Sequence, residues 1–287
     1  TRELAIQVAD SFRVYGKGSG IRNTTIYGGV SQKPQVKALR KGVDIVVATP
    51  ERLLDLLGQG KLSLAHVKYL VLDEADRMLD MGFIPDIRKI IANLNNRRQT
   101  LFFSATIPKE IIKLSKEFMQ KPERVSVRPQ QTTAELIQQA VYHVPKKNKT
   151  NLLVHLLKSE SHDTTLVFSR TKRGVDKLVR RLKKQGIRAD AIHGDKSQAA
   201  RQRALGKFKK GHTRVLVATN VAARGIDVDE LSLVVNYDLP DVAETYVHRI
   251  GRTGRAETSG LALTFCDPGE KKLLRSIQNL IGERIDV

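Results

Sequence analysis

Two adjacent carboxylates, Asp73 and Glu74, follow the apolar run Tyr69–Leu72 without a spacer. Short apolar runs of this kind suit a strand buried on both faces, as in a parallel sheet. In open α/β sheets the ligand lies outside the carboxyl ends of the strands. A carboxylate pair at such an end can divide a phosphoryl-transfer task. Asp73 can hold Mg²⁺, directly or through water, while Glu74 orients and deprotonates an attacking water. The competing reading is the first turn of a helix, where acidic side chains complement the dipole.

Other groups extend this chemistry. Ser104-Ala105-Thr106 follow a second apolar run, where their hydroxyls can bond to the Asp73–Asp76 loop or cap the next helix. Arg249, Arg252 and Arg255 recur at spacing three, which on a helix puts them on one face. Guanidinium groups suit a transferring γ-phosphate, and Gly251 and Gly254 let backbone approach a ligand closely. No G-x-x-x-x-G-K-[ST] phosphate loop occurs, and Gly16–Gly20 has the wrong spacing and reads as a surface turn.

The elements that must hold these groups alternate. Strands are expected at Thr24–Tyr27, Val43–Ala48, Val67–Leu72 and Gln99–Ser104, with a helix from Pro108 to about Met119, and Glu123–Val127 closes the first half. Residues 129–136 are polar and aperiodic and read as a linker between domains at 1–128 and 137–287. Strands then recur near Ile137–His143, Thr165–Ser169, Arg188–His193, Arg214–Ala218, Leu231–Asn236 and Gly260–Phe265. Helices are expected between them at Lys172–Gln185, Ser197–Lys209 and Asp241–Ile250. This alternation predicts an α/β class of two domains, each a parallel sheet flanked by helices.

Composition narrows the partners. The 287 residues are 40% hydrophobic and 28% charged, an ordinary globular make-up, yet the formal net charge is +20. Such a balance favours nucleic acid, then anionic membrane surfaces. No apolar run approaches the ~18 residues of a membrane span. The one cysteine, Cys266, excludes an intramolecular disulfide and reads as a buried strand residue, consistent with a cytoplasmic setting. Lys146-Lys147-Asn148-Lys149, Arg180-Arg181 and Lys209-Lys210 each read as a solvated face, and together as an attraction for RNA.

Asp73-Glu74-Ala75-Asp76 spells the signature of the DEAD-box RNA helicases, and the chain resembles that family along its whole length. Thr49–Asp55 (TPERLLD), Ser104–Thr106 (SAT), Ala223–Asp227 (ARGID) and His248–Arg255 (HRIGRTGR) follow in the family's order. The wording around them looks most like the bacterial RhlE-type subgroup. The resemblance implies two RecA-like domains and an enzyme that hydrolyses ATP with Mg²⁺ to unwind or remodel RNA. It implies that Asp73, Glu74, Arg252 and Arg255 act in catalysis, the two arginines as fingers from the second domain. Asp76, Ser104, Thr106, Gln198, His248 and Arg249 would couple turnover to strand separation, His248 and Arg249 by tying the second domain to the first. Gly225 and Asp227 would meet the ATP ribose. Thr1, Arg2, Gly29, Thr49 and Arg52 in the first domain, with Arg170, Gly194, Arg201 and Thr219 in the second, would line the RNA. Phe168 reads as a core residue, with a secondary role beneath that site.

Two positions depart from the family pattern: Glu51 replaces a glycine beside the RNA path, and Asn220 stands where Asp is usual. In the family the phosphate loop and an adenine-reading glutamine motif precede the T-R-E-L-A motif with which this chain opens. The first domain is therefore expected to be incomplete at its N-terminus and the fragment alone to lack ATPase activity. Two other functions fit less of the pattern: a non-catalytic RNA-binding scaffold and a DNA-directed helicase of the same superfamily.

Overall fold

The computed structural model describes residues 1–126, 137–159, 162–223, 228, 231–254 and 260–286. The chain divides into two compact units, Thr1–Val127 and Arg128–Val287. The segment read as a linker, 129–136, lies outside the described residues. No helix among the described residues is long and apolar enough to cross a membrane.

The first unit runs α1 (Arg2–Tyr15), β1 (Asn23–Ile26), α2 (Lys33–Arg40), β2 (Ile45–Ala48), α3 (Pro50–Gly58), β3 (Tyr69–Leu72), α4 (Ala75–Asp80), α5 (Ile84–Ala92), β4 (Gln99–Phe102) and α6 (Lys109–Phe118). Its strands form two separate parallel pairs among the described residues, β1 with β2 and β3 with β4. Leu53, Leu72, Ile87, Ile90, Ile111 and Leu114 pack into one core beneath β3 and α3, α5 and α6. Successive strand residues point to opposite faces, so Leu72 is buried while Tyr69 and Val71 are 68% and 54% exposed. The expectation that this strand is covered on both faces is therefore corrected: β3 is covered on one. Residues 123–126 form no strand, and Val125 is exposed.

The second unit contains β5 (Ile137–His143), α7 (Lys149–Ser159), β6 (Thr165–Phe168), α8 (Lys172–Lys184), β7 (Ala189–Ile192), α9 (Gln198–Lys209), β8 (Val215–Ala218), α10 (Asn220–Ala223), β9 (Leu233–Asn236), α11 (Ala243–Ile250), β10 (Gly260–Cys266) and α12 (Lys271–Ile281). One six-stranded sheet runs β5-β10-β9-β6-β8-β7 with every pair parallel. Alternation divides its core. Val167, Val217 and Val235 pack with Leu153, Leu178 and Leu182 of α7 and α8. Leu166, Leu216 and Val234 pack on the opposite face with Phe208 of α9. The sequence runs to one side of β6 through β8 and β7 and to the other through β9 and β10. The carboxyl ends of β6, β8 and β9 therefore meet at a topological switch point, where α/β sheets bind ligands. Cys266 is buried at the end of β10, and burial pushes its thiol pKa up.

Candidate functional site

The first unit places Asp73 and Glu74 between β3 and α4. The main chain must turn from strand to helix within two residues, and Glu74 makes the turn in the left-handed region at φ 52°. Its N–H donates to Asp73 Oδ1 at 2.8 Å, and its carboxylate accepts from Arg77 one helical turn on. Asp76 is buried. Its Oδ2 accepts from the Thr106 N–H at 3.0 Å and the Thr106 hydroxyl at 2.9 Å. Ser104 Oγ accepts from the Asp76 N–H at 3.3 Å and donates to Thr106 O at 2.6 Å. The loop after β3 and the loop after β4 are thus joined through one carboxylate. A shift of one must move the other or break charge-assisted bonds.

The expected RNA residues of this unit gather at the ends of β1 and β2. Thr1 caps α1, its Oγ1 accepting from Leu4 N–H at 3.2 Å. Arg2 lies over Gly29, whose φ is +79°, and a Cβ there would stand 2.5 Å from Arg2 Nη1. The left-handed φ is what favours glycine there, since the guanidinium end of Arg2 could move aside. Thr49 N–H donates to Ile26 O at 2.8 Å, and Arg52 Nη1 donates to Val30 O at 3.3 Å. Glu51 is exposed in the first turn of α3.

In the second unit Arg170 leaves the end of β6 and is held from three sides. Its N–H donates to Asp238 Oδ2 at 2.8 Å, and its Nη2 donates to Leu239 O at 3.1 Å and to Glu270 Oε1 at 2.8 Å. Glu270 also accepts from Leu239 N–H at 3.2 Å and from Lys149 Nζ at 2.5 Å. Lys149 is 1% exposed and lies 3.3 Å from Asp267 as well. This corrects the reading of Lys149 as part of a solvated cluster. A single 3₁₀ turn at Lys146–Asn148 rotates it inward, where a buried ammonium requires such partners. The same loop cluster holds Thr219, buried, with its N–H on Ile192 O at 3.2 Å. Gly194 lies against the Lys172 stem, and Gln198 and Arg201 sit in the first turn of α9.

Arg249 and Arg252 are not on one helix. α11 ends at Ile250 and the chain turns at Gly251. Arg249 is 2% exposed. Its Nε donates to Asn220 Oδ1 at 2.7 Å, and its Nη1 donates to Asn236 Oδ1 and Asp238 O at 2.8 Å each. Its guanidinium stacks 4.8 Å from the Phe168 ring centre. All of these partners belong to the second unit, so Arg249 braces that unit internally. Burial pushes its pKa down to about 9, with Asp238 opposing. His248 lies in the last turn of α11 and Arg252 just beyond it, where Arg252 O accepts from Leu231 N–H at 3.2 Å. Gly260 opens β10 so close to this loop that a Cβ would meet Gly254 N at 2.3 Å. Arg255, Gly225 and Asp227 lie outside the described residues.

Asp73 and Glu74 supply hard carboxylate oxygens. Mg²⁺ takes that donor type, using one or two carboxylates and filling its remaining positions with water and phosphate oxygens. The residues that sequence reasoning missed are Asp238, Glu270 and Lys149. The D-x-x-E spacing of Asp267 and Glu270, which forms a capping box, was the available signal.

Relatives agree with this layout. The DEAD/DEAH box helicase model matches residues 1–114 and the helicase conserved C-terminal domain model matches 148–257. DEAD-box ATP-dependent RNA helicase 30 of Arabidopsis thaliana is 47% identical over 285 residues, covering 99% of this chain and 48% of its own length. CshA of Bacillus subtilis is 46% identical over 286 residues, covering 100% and 58%. The chain thus spans about half the length of these curated relatives. Yeast Dbp5 bound to RNA and ADP BeF3 superposes with a TM-score of 0.86 at 31% identity, covering 100% of this chain and 75% of that one. A DEAD box protein from Methanococcus jannaschii is 43% identical, with a TM-score of 0.54 and coverage of 100% and 77%. With both helicase domain models in order, and the Asp73–Asp76 loop joined to Ser104 and Thr106, the chain belongs to the DEAD-box ATP-dependent RNA helicase family.

Proposed function

We propose that the protein hydrolyses ATP with Mg²⁺ and uses the cycle to separate or remodel RNA strands. The bond set from Asp76 to Ser104 and Thr106 carries this reading, because it links the catalytic carboxylates to a second loop. Bound Mg²⁺ would neutralise phosphate charge, and Asp73 would hold it. Glu74 would leave Arg77 and accept a proton from the attacking water. Arg252 and Arg255 would stabilise charge on the γ-phosphate, and Gly225 and Asp227 would hold the ribose. Arg2, Gly29, Thr49, Arg52, Arg170, Gly194, Arg201 and Thr219 would grip RNA through its backbone, which positions a strand without reading its sequence. Gln198, His248 and Arg249 would transmit the nucleotide state, Arg249 by fixing the loops at the ends of β6, β8 and β9. A cytoplasmic setting suits a chain with one cysteine, and the wording around the motifs favours the RhlE-type subgroup.

The test is RNA-stimulated ATP hydrolysis and RNA dissociation time. Glu74→Gln keeps size and hydrogen bonding but removes the base, so hydrolysis falls roughly 10²–10⁴-fold while RNA is held longer in ATP. Arg255→Ala slows hydrolysis and releases RNA sooner, because the γ-phosphate loses a partner. Hydrolysis unaffected by Glu74→Gln would sink the assignment. ATP-independent RNA binding would favour a scaffold, and equal stimulation by DNA a DNA-directed enzyme.

A further inference from the structure

Helix α8 carries a feature that the strand-end site does not use. Val175, Leu178, Val179 and Leu182 are buried. Opposite them, Arg173, Lys177, Arg180 and Lys184 are exposed at spacings of four, three and four, which aligns them on one stripe. From Arg173 to Lys184, eleven steps of helix rise, the stripe is ~16 Å long. Nearby acids are committed elsewhere. Asp195 pairs with Lys172, Asp190 with Lys183, and Asp176 with Lys196 and His193. Among the described residues no carboxylate lies within ion-pair distance of the four cations. Like charges at these spacings destabilise a helix, and a face serving solubility alone mixes both signs. Local stability therefore gives no reason for the stripe, whereas a polyanion would.

Position identifies which one. The helix begins two residues after Arg170, so Arg173 stands beside the proposed RNA edge and Lys184 at the far end. Arg181 and Gln185, the chain neighbours of Arg180 and Lys184, line a groove of about 490 Å³ between α7 and α8 together with Asn151, His155 and Lys158. Lys158 Nζ donates to Gln185 Oε1 at 3.2 Å, and Lys158 and Arg181 offer cations, and Asn151 a hydrogen-bond donor, to a phosphate. We infer that the outer face of α8 and this groove form a second RNA surface, which holds the backbone of RNA flanking the segment gripped at the strand ends. The inference rests on the RNA reading above and adds a track leading away from that site.

The test replaces Arg173, Lys177, Arg180 and Lys184 together by Gln. A control variant replaces exposed Lys17, Lys37, Lys41 and Lys61 of the first unit by Gln, for the same loss of charge. Two probes are titrated against salt: a short single strand, and the same strand extended by a duplex. The stripe variant should bind the short probe as wild type does. It should bind the extended probe about tenfold or more weakly at low salt, with a log–log salt slope shallower by roughly 2–4. The control should change both probes alike and by less. The thermal midpoint of the stripe variant should hold or rise, which a merely structural role would not give. Equal losses on both probes, or equal losses in both variants, would show bulk charge and overturn the inference. Binding of a polyglutamate peptide to the stripe, with no gain from the duplex extension, would assign it to an acidic protein and also overturn it. Failure of wild type to bind either probe overturns the RNA reading and this inference together. Binding of both probes without selective loss overturns the inference alone.

Discussion

The two units repeat one pattern of short apolar strands and amphipathic helices, yet differ in closure. In the second, all six strands pair side by side, and β6, β8 and β9 are buried throughout. In the first, each described strand has one partner, and Tyr69, Val71 and Phe103 are exposed. Two-stranded sheets are marginal by themselves, so helix packing and the Asp76 bonds carry more of the first unit's order. Alternation of strands and helices sets the fold class, while lateral strand neighbours set how firmly each site is held.

The largest expected effect tests whether the second unit's advantage includes its buried ions. Glu270→Ala removes the shortest ion pair of buried Lys149 and one of the anchors of Arg170, and should destabilise the second unit by about 3–5 kcal/mol in urea unfolding. A loss under ~1 kcal/mol would assign the advantage to the sheet. In the first unit, Asp76→Ala leaves the Thr106 N–H without its acceptor and should cost about 1–3 kcal/mol, read as earlier proteolysis between α4 and α6 than in the second unit.

Acid should separate the units further. Burial alone would raise the Asp267 pKa, but the Lys149 charge, the Gly269 N–H and Glu270 together hold it lowered. A depressed carboxylate stabilises the fold above its unfolded value near 3.8 and loses that contribution as pH falls through the folded value. The second unit should therefore lose stability below about pH 4, and Asp267→Asn should flatten that limb.

Smaller effects sharpen the contrast. Asn220→Asp would give buried Arg249 a carboxylate where it now meets an amide oxygen. It should stabilise the second unit by about 1 kcal/mol at neutral pH, measured as a raised unfolding midpoint. Val71→Thr on the uncovered face of β3 should stay within about 0.5 kcal/mol of wild type, whereas Val167→Thr in β6 should not. If both cost the same, β3 is covered in solution.

Much of this was legible in the sequence. The apolar runs placed the named strands to within one or two residues, because strand ladders end where polar loop residues begin. Burial of β3 was not legible, since a run of Tyr, Leu and Val looks the same whether one face or both are covered. Lys149 misled because its partner Glu270 is 121 residues away, beyond any local pattern. The arginine spacing misled because Gly251 ends α11 between Arg249 and Arg252. The joining of Asp76 to Ser104 and Thr106 was foreseeable from hydroxyls at a strand end. Its use of Asp76 in particular required the fold.

The left-handed turn at Glu74 has a consequence for anyone engineering this chain. A residue with a Cβ costs roughly 1–2 kcal/mol in that conformation, while glycine adopts it freely. Libraries ranked by heat resistance, and algorithms that favour relaxed geometry, will both keep returning Glu74→Gly as an improvement. Each such hit would be a sturdier protein with its proposed base removed. The position should be held fixed before any thermostability campaign begins, since the assay that rewards the change cannot see what it removes.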